Sequence, residues 1–444
     1  MAAVNNESDT RLLCDADIHV YTAKDADDLF KGRDLYIWGA GQKGRGFRLA
    51  LERNGFKVKA FLDNSSMLAG TEYKGTPVLY PQNVLNDPLI GQTSFILVAS
   101  VDKKNKEIFE LCEEAGLLKG RDFINIQELA PFYPTVEVSG ICNLKCISCP
   151  RGTSSRQQEK TGFMSANDYS KVIRKLIDEI PFLYLVDLYI WGDPLLNPEL
   201  PEIIKINAEL GIASGISSNL NYAKYLEDVV KSAPAQLRVS VSGFGPQHYE
   251  ITHAGGKWER LYENLILLSG LIKKYKTQTI VEIYYHVYKN NRAESSKMLE
   301  FCNNHGFRFH PVLSMLLADF ALDYCEGIGL SEEAKKAEEM MLVKLDRLIE
   351  NGVRDRDRRC LLNRVLPIIN WDMSVMPCCN YSYHKLSDYY LDISLHDIIR
   401  QRTEHSLCVK CRHYGLHRYF NPEYYSDTVS AALVVEAKNE FCQD

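Results

Sequence analysis

The sequence of 444 residues predicts an α/β protein built from three parts. Two stretches alternate apolar strands with amphipathic helices, which is the pattern of parallel sheets covered by helices. The C-terminal stretch has few such units and is rich in cysteine. We expect an N-terminal extension at residues 1–30, a doubly wound sheet at 31–131 and a partial (β/α)6 barrel at 135–330. A helical connector at 331–355 and a small cysteine-rich domain with a tail at 356–444 should follow.

The expected elements follow from apolar periodicity. Period-two and short apolar runs indicate strands, and one helix after the first cysteines shows a continuous apolar face from Tyr169 to Ile180. A charged stretch at 331–352 predicts a single helix, 371–378 a hairpin, and 394–400 a short helix. The predicted strands lie at residues 34–39, 57–63, 94–100, 135–139, 185–191, 213–217, 237–242 and 279–288.

Composition excludes several classes of function. Hydrophobic residues make up 45% and charged residues 25%, as in a globular protein. The net charge of −6 offers no general attraction to nucleic acid or anionic lipid. The first residues are polar and no apolar run is long enough to span a bilayer, so we expect neither a signal peptide nor a membrane span. A cytoplasmic protein without nucleic-acid or membrane partners is predicted.

The first predicted strand ends in a glycine-rich loop. Gly39, Gly41 and Gly44 precede a helix, and Asp63 ends the next strand. This order matches the dinucleotide-binding fingerprint, in which glycines admit a pyrophosphate and the acid holds ribose hydroxyls. The region resembles Rossmann-like modules of sugar-modifying and glycan-assembly proteins, which implies a bound nucleotide or nucleotide-sugar. NAD(H), or a module that has lost its ligand, are the alternatives.

Cys142, Cys146 and Cys149 follow a predicted strand with the spacing CxxxCxxC. Thiolates are preferred ligands of iron–sulfur clusters and of zinc. No fourth cysteine or histidine lies nearby, as a zinc site would usually require. Three thiolates can hold three irons of a [4Fe–4S] cluster and leave the fourth iron open. A zinc loop completed from a distant residue, or a chance spacing, is the alternative.

This motif resembles the signature of the radical S-adenosylmethionine (SAM) superfamily. The resemblance implies that SAM binds the open iron and that its reductive cleavage yields methionine and a 5′-deoxyadenosyl radical. It also implies an electron donor of the flavodoxin or ferredoxin type. Ser148 stands where the superfamily often has an aromatic residue near adenine, so the adenine contact is unassigned.

Three further segments resemble superfamily motifs in the expected order. Gly192, Asp193 and Pro194 resemble the Gly-Gly-Glu-Pro segment that holds the SAM amino group, although Trp191 replaces the first glycine and Asp193 the glutamate. Ser218 and Asn219 resemble the superfamily segment at the end of the third strand. Ser240 resembles the serine of the fourth strand that contacts the ribose.

The C-terminal cysteines resemble the auxiliary-cluster region of the SPASM/twitch branch. Cys360, Cys378, Cys408 and Cys411 are too few for a full SPASM domain, so a twitch form with one additional [4Fe–4S] cluster is expected. Zinc on the same thiolates is the alternative, and Cys379 could replace Cys378 because adjacent strand residues point in opposite directions. A cluster fully bound by protein would move electrons, which favours a net two-electron oxidation.

Period-two alternation selects the residues that face the barrel interior. Glu282, Tyr284 and His286 share one face of the strand at 279–288 and are candidate catalytic residues, whereas the other face is suited to pack against helices. A polar interior without a chemical role is the alternative. Inward positions are also expected for Glu137, Ser139, Arg238 and Ser240.

These features predict a radical SAM enzyme that abstracts hydrogen from a carbohydrate or nucleotide-linked small molecule. Oxidation is the leading outcome, followed by dehydration or epimerisation. A peptide-modifying SPASM maturase is one alternative, since many SPASM relatives modify peptides. A non-catalytic, metal-bearing nucleotide-binding scaffold is the other.

Overall fold

The computed structural model describes residues 19–66, 68–99, 102–153, 161–381 and 383–419. The strands are β1 Asp34–Trp38, β2 Val58–Leu62, β3 Glu72–Tyr73, β4 Thr76–Leu79, β5 Ser94–Val98, β6 Phe123–Asn125, β7 Thr135–Val136, β8 Leu185–Asp187, β9 Ala213–Ser218, β10 Gln236–Val241, β11 Ile280–Val287, β12 Arg308–Leu313, β13 Ile368–Ile369 and β14 Val375–Met376. The helices are α1 Ala23–Phe30, α2 Gln42–Arg53, α3 Gln82–Leu85, α4 Ile90–Thr93, α5 Asp102–Glu114, α6 Ile126–Leu129, α7 Pro150–Thr153, α8 Ala166–Glu179, α9 Leu200–Glu209, α10 Leu226–Lys231, α11 Pro246–Thr252, α12 Trp258–Tyr275, α13 Ser295–His305, α14 Ala318–Cys325, α15 Glu332–Met340, α16 Leu345–Arg354, α17 Leu395–Glu404 and α18 Ser406–His413. Short 3-10 turns lie at Pro194–Leu196, Arg292–Glu294, Tyr390–Asp392 and Leu416–Arg418.

The N-terminal sheet has the strand order β3-β4-β2-β1-β5-β6 and is parallel except for β3. Alternate residues of β1 enter two separate apolar clusters: Leu35 and Ile37 pack with α1 and α2, and Tyr36 and Trp38 pack towards α3, α4 and α5. Both faces of the sheet are therefore covered by helices, as expected of a doubly wound arrangement.

The second sheet has the order β12-β11-β10-β9-β8-β7-β13-β14. Strands β7 to β12 are mutually parallel and form the partial (β/α)6 barrel that the sequence predicts. Their outward residues pack with α8, α9, α10, α12 and α13 in one apolar core. The polar faces of the strands consequently point inward.

Helix α2 joins the two sheets. A Cβ at Gly46 would lie 3.3 Å from the Tyr184 carbonyl oxygen, so the helix backbone closely approaches the start of β8. The Arg53 guanidinium donates to the carbonyl oxygens of Pro181, at 3.0 Å, and Leu183, at 2.5 Å. The N-terminal sheet therefore lies on the side of the barrel where the strands begin.

The connector differs from the predicted single helix over 331–352: it forms α15 and α16. Helix α15 ends at Met340 because Met341 turns into the apolar core, where it is 1% exposed, and takes an extended conformation. Glu338 then accepts a hydrogen bond from the Leu345 backbone N–H at 3.0 Å and starts the next helix.

The predicted hairpin at 371–378 forms, but its first strand, β13, lies before Trp371 and Trp371 itself occupies the turn. Strand β13 also pairs in parallel with β7, so the hairpin extends the barrel sheet. The Trp371 ring fills the space above two glycines, since a Cβ at Gly140 or Gly162 would approach it within 2.1 or 2.3 Å. None of the helices in the described ranges is long and apolar enough to cross a membrane.

Candidate functional site

Cys142, Cys146 and Cys149 lie on a loop at the carboxyl end of β7, all three half-buried as free thiols. The loop is fastened to the end of α11 and the residues after it by two backbone hydrogen bonds, from Lys145 to Ala254 at 2.8 Å and from Ile147 to Thr252 at 3.1 Å. The cysteines are therefore held at the mouth of the barrel, where the strands end and where barrel enzymes place their chemistry.

The three thiols are chemically suited to an iron–sulfur cluster. Burial, with the charge of Asp193 adding to it, raises the pKa of Cys142 to about 11, and burial together with the neighbouring thiols raises the pKa of Cys146 further. Such thiols lose their protons when a metal binds. Within the described ranges no three His, Cys, Asp or Glu side chains converge on a single metal ion. A [4Fe–4S] cluster binds each thiolate at a different iron, so its ligands need not converge on one point.

The segment of Gly192 packs directly against the start of this loop. The Gly192 N–H donates to Glu137 Oε1 at 2.7 Å, and the Asp193 N–H donates to the Ile141 carbonyl at 2.8 Å. A Cβ at position 192 would lie 1.8 Å from the Ser139 carbonyl oxygen. The close approach therefore requires glycine, and it places the motif of Gly192, Asp193 and Pro194 beside Cys142.

The Asp193 carboxylate connects this segment to the end of β9. It accepts hydrogen bonds from the Ser218 hydroxyl and the Asn219 N–H at 2.9 Å each, and from the Leu195 N–H at 3.0 Å. The side chain is 3% exposed, and burial raises its pKa to about 6 against the effect of these bonds. The carboxylate thus positions the SAM-motif segments against each other, a structural role that the sequence did not reveal.

Asn219 completes the connection to the cysteines. Its amide donates to Asn143 Oδ1 at 2.9 Å and lies 3.8 Å from Cys142 Sγ. Two buried polar atoms next to this junction, Glu137 Oε2 and Trp191 Nε1, have no hydrogen-bond partner among the described residues. Unsatisfied buried groups are costly in a finished fold, so they fit a site that receives a polar cofactor.

Inside the barrel, Arg238 lies between two tyrosines. Its guanidinium stands 4.1 Å from the ring centre of Tyr284 and 5.5 Å from that of Tyr189. Its Nε is buried and has no hydrogen-bond partner in the described part of the chain. Burial raises the pKa of Asp187 to about 6, although the nearby positive charge of Arg238 acts in the opposite direction. Ser240 lies on β10 in register with Tyr284.

Glu282 lies on β11 in register with Arg238 and is 7% exposed. It contacts His310 Nε2 at 3.2 Å and accepts a hydrogen bond from the Gln236 amide. Burial would raise the pKa of Glu282, but the bonds to His310 and Gln236 outweigh it and leave the pKa below its usual value. The sequence reasoning missed His310, although alternation along β12 would have placed it inward.

His286 lies near the upper end of β11, with its ring centre 6.1 Å from that of His253. Burial lowers the pKa of His286 to about 3 and that of His253 to about 4, so both rings are neutral at neutral pH. His253 Nδ1 lies 2.6 Å from the Ser242 hydroxyl. No local pattern indicates this pair, because His253 follows α11 and Ser242 follows β10.

A second site is a cavity in the C-terminal part. Cys408 and Cys411 lie one turn apart on α18, and Cys378 follows β14. A hydrogen bond from Cys379 lowers the pKa of Cys378 despite its burial, with Arg402 contributing in the same direction. Cys379 does not line the cavity, whereas all four predicted ligands do: Cys360, Cys378, Cys408 and Cys411. Cys442 lies outside the described residues.

The N-terminal glycine loop, which contains Gly39, Gly41 and Gly44, lies apart from the cysteine loop. Asp63 fastens it, since its carboxylate accepts from the Ala40 and Ser65 N–H groups at 2.9 Å each. A Cβ at Gly44 would lie 1.9 Å from the Gly39 carbonyl oxygen, whereas a Cβ at Gly41 would meet open space. Arg45, in the first turns of α2, reaches Gln278 just before β11 at 3.4 Å. The loop thus lies beside the amino ends of the barrel strands, opposite the cysteine loop.

Comparison with known protein families identifies the class of the domain that contains the cysteine loop. Residues 136–301 match the model of the Radical SAM superfamily, so the chain contains a radical SAM domain. That domain spans the cysteine loop, the Gly192 segment and strands β8 to β11. It implies a [4Fe–4S] cluster and SAM as cofactors, and a reductant as electron donor. No curated protein matched the chain.

Three solved structures are similar to this chain at low identity and low TM-score. SuiB of Streptococcus suis bound to S-adenosylmethionine is 12% identical, with a TM-score of 0.41 over 71% of this chain and 74% of that one. BtrN in complex with AdoMet and 2-DOIA is 15% identical, with a TM-score of 0.37 over 64% and 87% of the two chains. Native anSMEcpe with bound AdoMet is 15% identical, with a TM-score of 0.40 over 68% and 99%. Values this low identify no substrate.

Proposed function

We propose that this radical SAM enzyme abstracts hydrogen from a carbohydrate or nucleotide-linked small molecule and oxidises it, with dehydration or epimerisation as the less favoured outcomes. Cys142, Cys146 and Cys149 would hold the cluster. When bound, the cluster and SAM would supply a 5′-deoxyadenosyl radical, formed by one-electron cleavage of SAM, that can remove a hydrogen atom from an unactivated carbon. The protein contributes position, shelter from water and proton transfer.

The SAM site would be formed by the backbone of Gly192, Asp193 and Pro194 and by the end of β9. Glu137 holds the Gly192 N–H on one side, and Asp193 holds Ser218 and Asn219 on the other. These bonds fix the two segments before a cofactor arrives, which reduces the entropy lost on binding. Ser240, on the neighbouring strand, is the candidate for the ribose contact.

The observation that carries the substrate proposal is Arg238 in the barrel interior. It is stacked on Tyr284, its Nε is buried without a partner in the described ranges, and Asp187 and Glu282 lie nearby. Binding sites for small polar molecules combine such ring surfaces with a few fixed hydrogen-bonding groups. A polyhydroxylated sugar offers hydroxyl groups that can accept from Arg238 and donate to the carboxylates.

Glu282 is the proposed proton acceptor. Oxidation of an alcohol carbon releases its hydroxyl proton, and a carboxylate whose pKa is lowered by His310 is ionised and ready to take it. His286 is neutral because burial lowers its pKa to about 3, so it can accept a hydrogen bond from substrate without repelling Arg238. The Tyr284 ring packs against the guanidinium of Arg238.

Cys360, Cys378, Cys408 and Cys411 would hold the auxiliary [4Fe–4S] cluster, which would accept an electron from the substrate. Cys378 is favoured over Cys379, because Cys379 donates to its sulfur and does not line the cavity. Four thiolates leave no iron open for substrate, so electron transfer is the role that suits this site.

The N-terminal loop supports a separate nucleotide site more than a substrate site. Its contact with Gln278 lies below the barrel, so a nucleotide there would be remote from the cysteine loop. The preference for a sugar therefore depends on the barrel interior alone. We keep a nucleotide or nucleotide-sugar as the proposed ligand of Gly39, Gly41 and Gly44.

The test of the metal and cofactor assignment is anaerobic iron and sulfide analysis combined with a SAM-cleavage assay. The wild type is expected to hold about eight irons in two [4Fe–4S] clusters and to form 5′-deoxyadenosine under reduction. The variant Cys142→Ala/Cys146→Ala/Cys149→Ala should hold about four irons and cleave no SAM. Zinc in place of iron, or no cleavage by fully loaded enzyme with dithionite, would contradict the assignment.

The substrate class is tested separately with deuterated compounds. The loaded enzyme is incubated with uniformly deuterated sugars, nucleotide-sugars and short peptides, and deuterium in the 5′-deoxyadenosine formed is measured by mass spectrometry. The proposal is supported if deuterium is transferred from a sugar or nucleotide-sugar and if this transfer is weaker in Arg238→Gln. Transfer from peptides alone would identify a peptide-modifying enzyme instead.

A further inference from the structure

Arg402 is a buried arginine on α17, beside the cavity of the four C-terminal cysteines. It is 8% exposed and lines the cavity together with Cys360, Cys378, Cys408 and Cys411. Two of its guanidinium nitrogens donate to backbone carbonyls, Nη1 to Asn363 at 3.1 Å and Nη2 to Leu362 at 2.9 Å. The side chain is thus fixed in place by the loop that follows Cys360.

Among the residues that the structure describes, no carboxylate balances the charge of Arg402. In the described part of the chain, no aspartate or glutamate forms an ion pair with this guanidinium. The same cavity is instead lined by the four cysteines Cys360, Cys378, Cys408 and Cys411. A buried cation without a counter-ion is strongly destabilising. The fold therefore places a permanent cation where four thiolates gather.

We infer that Arg402 is a positioning residue for the proposed auxiliary cluster and raises its reduction potential. The inference depends on the proposed function, because it needs a cluster at the four cysteines. Reduction adds one electron, which would come from the substrate, and so adds one negative charge to the cluster. A cation fixed in the lining of the same cavity stabilises the more negative form. The cluster then becomes a better electron acceptor, as an oxidation requires.

The residue offers variants that separate charge from structure. Arg402→Gln removes the charge and retains an amide donor, whereas Arg402→Lys keeps the charge and loses the planar fork. Arg400→Gln is the matched control, because Arg400 lies on the same helix with its side chain 60% exposed and paired with Asp397 at 2.8 Å. A charge that is screened by water should have little effect on a buried cluster.

The experiment is an anaerobic redox titration of the full chain, followed by electron paramagnetic resonance. The background is Cys142→Ala/Cys146→Ala/Cys149→Ala, so that only the C-terminal cluster contributes a signal. Arg402→Gln should shift the midpoint potential to a more negative value, Arg402→Lys should shift it less, and Arg400→Gln should leave it unchanged.

The possible failures are distinguishable. An unchanged midpoint in Arg402→Gln with its iron retained overturns the role of Arg402 and leaves the auxiliary cluster standing. Loss of iron in both Arg402 variants assigns the residue to assembly of the site and also overturns the effect on potential. A background protein that holds zinc, or no metal, contradicts the auxiliary cluster itself.

Discussion

The Ser218 hydroxyl donates to Asp193 Oδ2 at 2.9 Å and thereby joins the ends of two barrel strands beside the cysteine loop. The same oxygen accepts from the Asn219 N–H, and the other carboxylate oxygen accepts from the Leu195 N–H. One buried carboxylate thus holds two segments of the proposed SAM site, the turn after Asp193 and the end of β9, against each other.

Asp193→Asn should weaken this junction. An amide has one acceptor oxygen, so its NH2 group must face a donor and leave buried groups unpaired, at a cost of about 1–3 kcal/mol. We expect a lower thermal midpoint and weaker SAM binding, measured by anaerobic calorimetry. Ser218→Ala should cost less, about 1 kcal/mol. The control Ser296→Ala, at an exposed serine on α13, should behave as wild type; equal midpoints for Asp193→Asn and this control would contradict the role of the carboxylate.

Gly192→Ala should abolish most SAM cleavage. The added Cβ would lie 1.8 Å from the Ser139 carbonyl oxygen, so the segment has to move away from the cysteine loop. A displacement of about 1 Å at a reacting centre can reduce the rate about 100-fold. Gly270→Ala is the control, because Gly270 is exposed on α12 with open space at its Cβ, and the change should stabilise the helix. Wild-type cleavage by Gly192→Ala would refute the close approach.

Glu282→Gln and His286→Ala should lower substrate turnover while both clusters and substrate-independent SAM cleavage remain intact. Loss of a proton acceptor typically costs about 100-fold or more in rate. Iron content, 5′-deoxyadenosine formation and product formation are measured on the same samples. Glu259→Gln, an exposed glutamate on α12, is the matched control. Wild-type turnover in both barrel variants would show that this face is only structural.

His253 should make stability depend on pH. Burial lowers its pKa from 6.5 to about 4, so the unfolded chain binds the proton more readily than the folded one. Its contribution is therefore complete above pH 6.5 and is lost as the pH falls towards 4. Between pH 7 and pH 5 the loss is about 2 kcal/mol. The thermal midpoints of wild type and His253→Gln should accordingly converge between these pH values, and a constant difference would contradict the assignment.

Gly41→Asp tests the N-terminal loop. Gly41 is the N-cap of α2 and has no side-chain cap, and its Cβ direction is open, so aspartate should fit and stabilise the helix. Its charge would repel a phosphate at the helix end. Titration of the full chain with UDP-glucose and NAD by calorimetry should show binding that this variant loses. Binding that persists in Gly41→Asp, or no binding by wild type, would remove the proposed nucleotide site.

The sequence alone determined the features that depend on local spacing. Apolar alternation placed β1, β2, β5 and the barrel strands β7 to β11, but not β12, and it assigned Glu282, Tyr284 and His286 to one face of β11. The spacing of Cys142, Cys146 and Cys149 after a strand indicated their shared loop. Local patterns succeed here because a strand repeats every two residues and a short loop allows few arrangements.

The tertiary structure decided which of these residues meet. Glu282 pairs with His310 because β11 and β12 align in a particular register, and register depends on packing across the whole sheet. Arg402 reaches the four cysteines only because α17 folds back over the loop after Cys360, and no periodicity in the sequence encodes that contact. The glycine loop faces away from the cysteine loop because α2 packs on the start of β8. Such contacts join residues distant along the chain, so they are set by the shape of the assembled core and not by any local pattern.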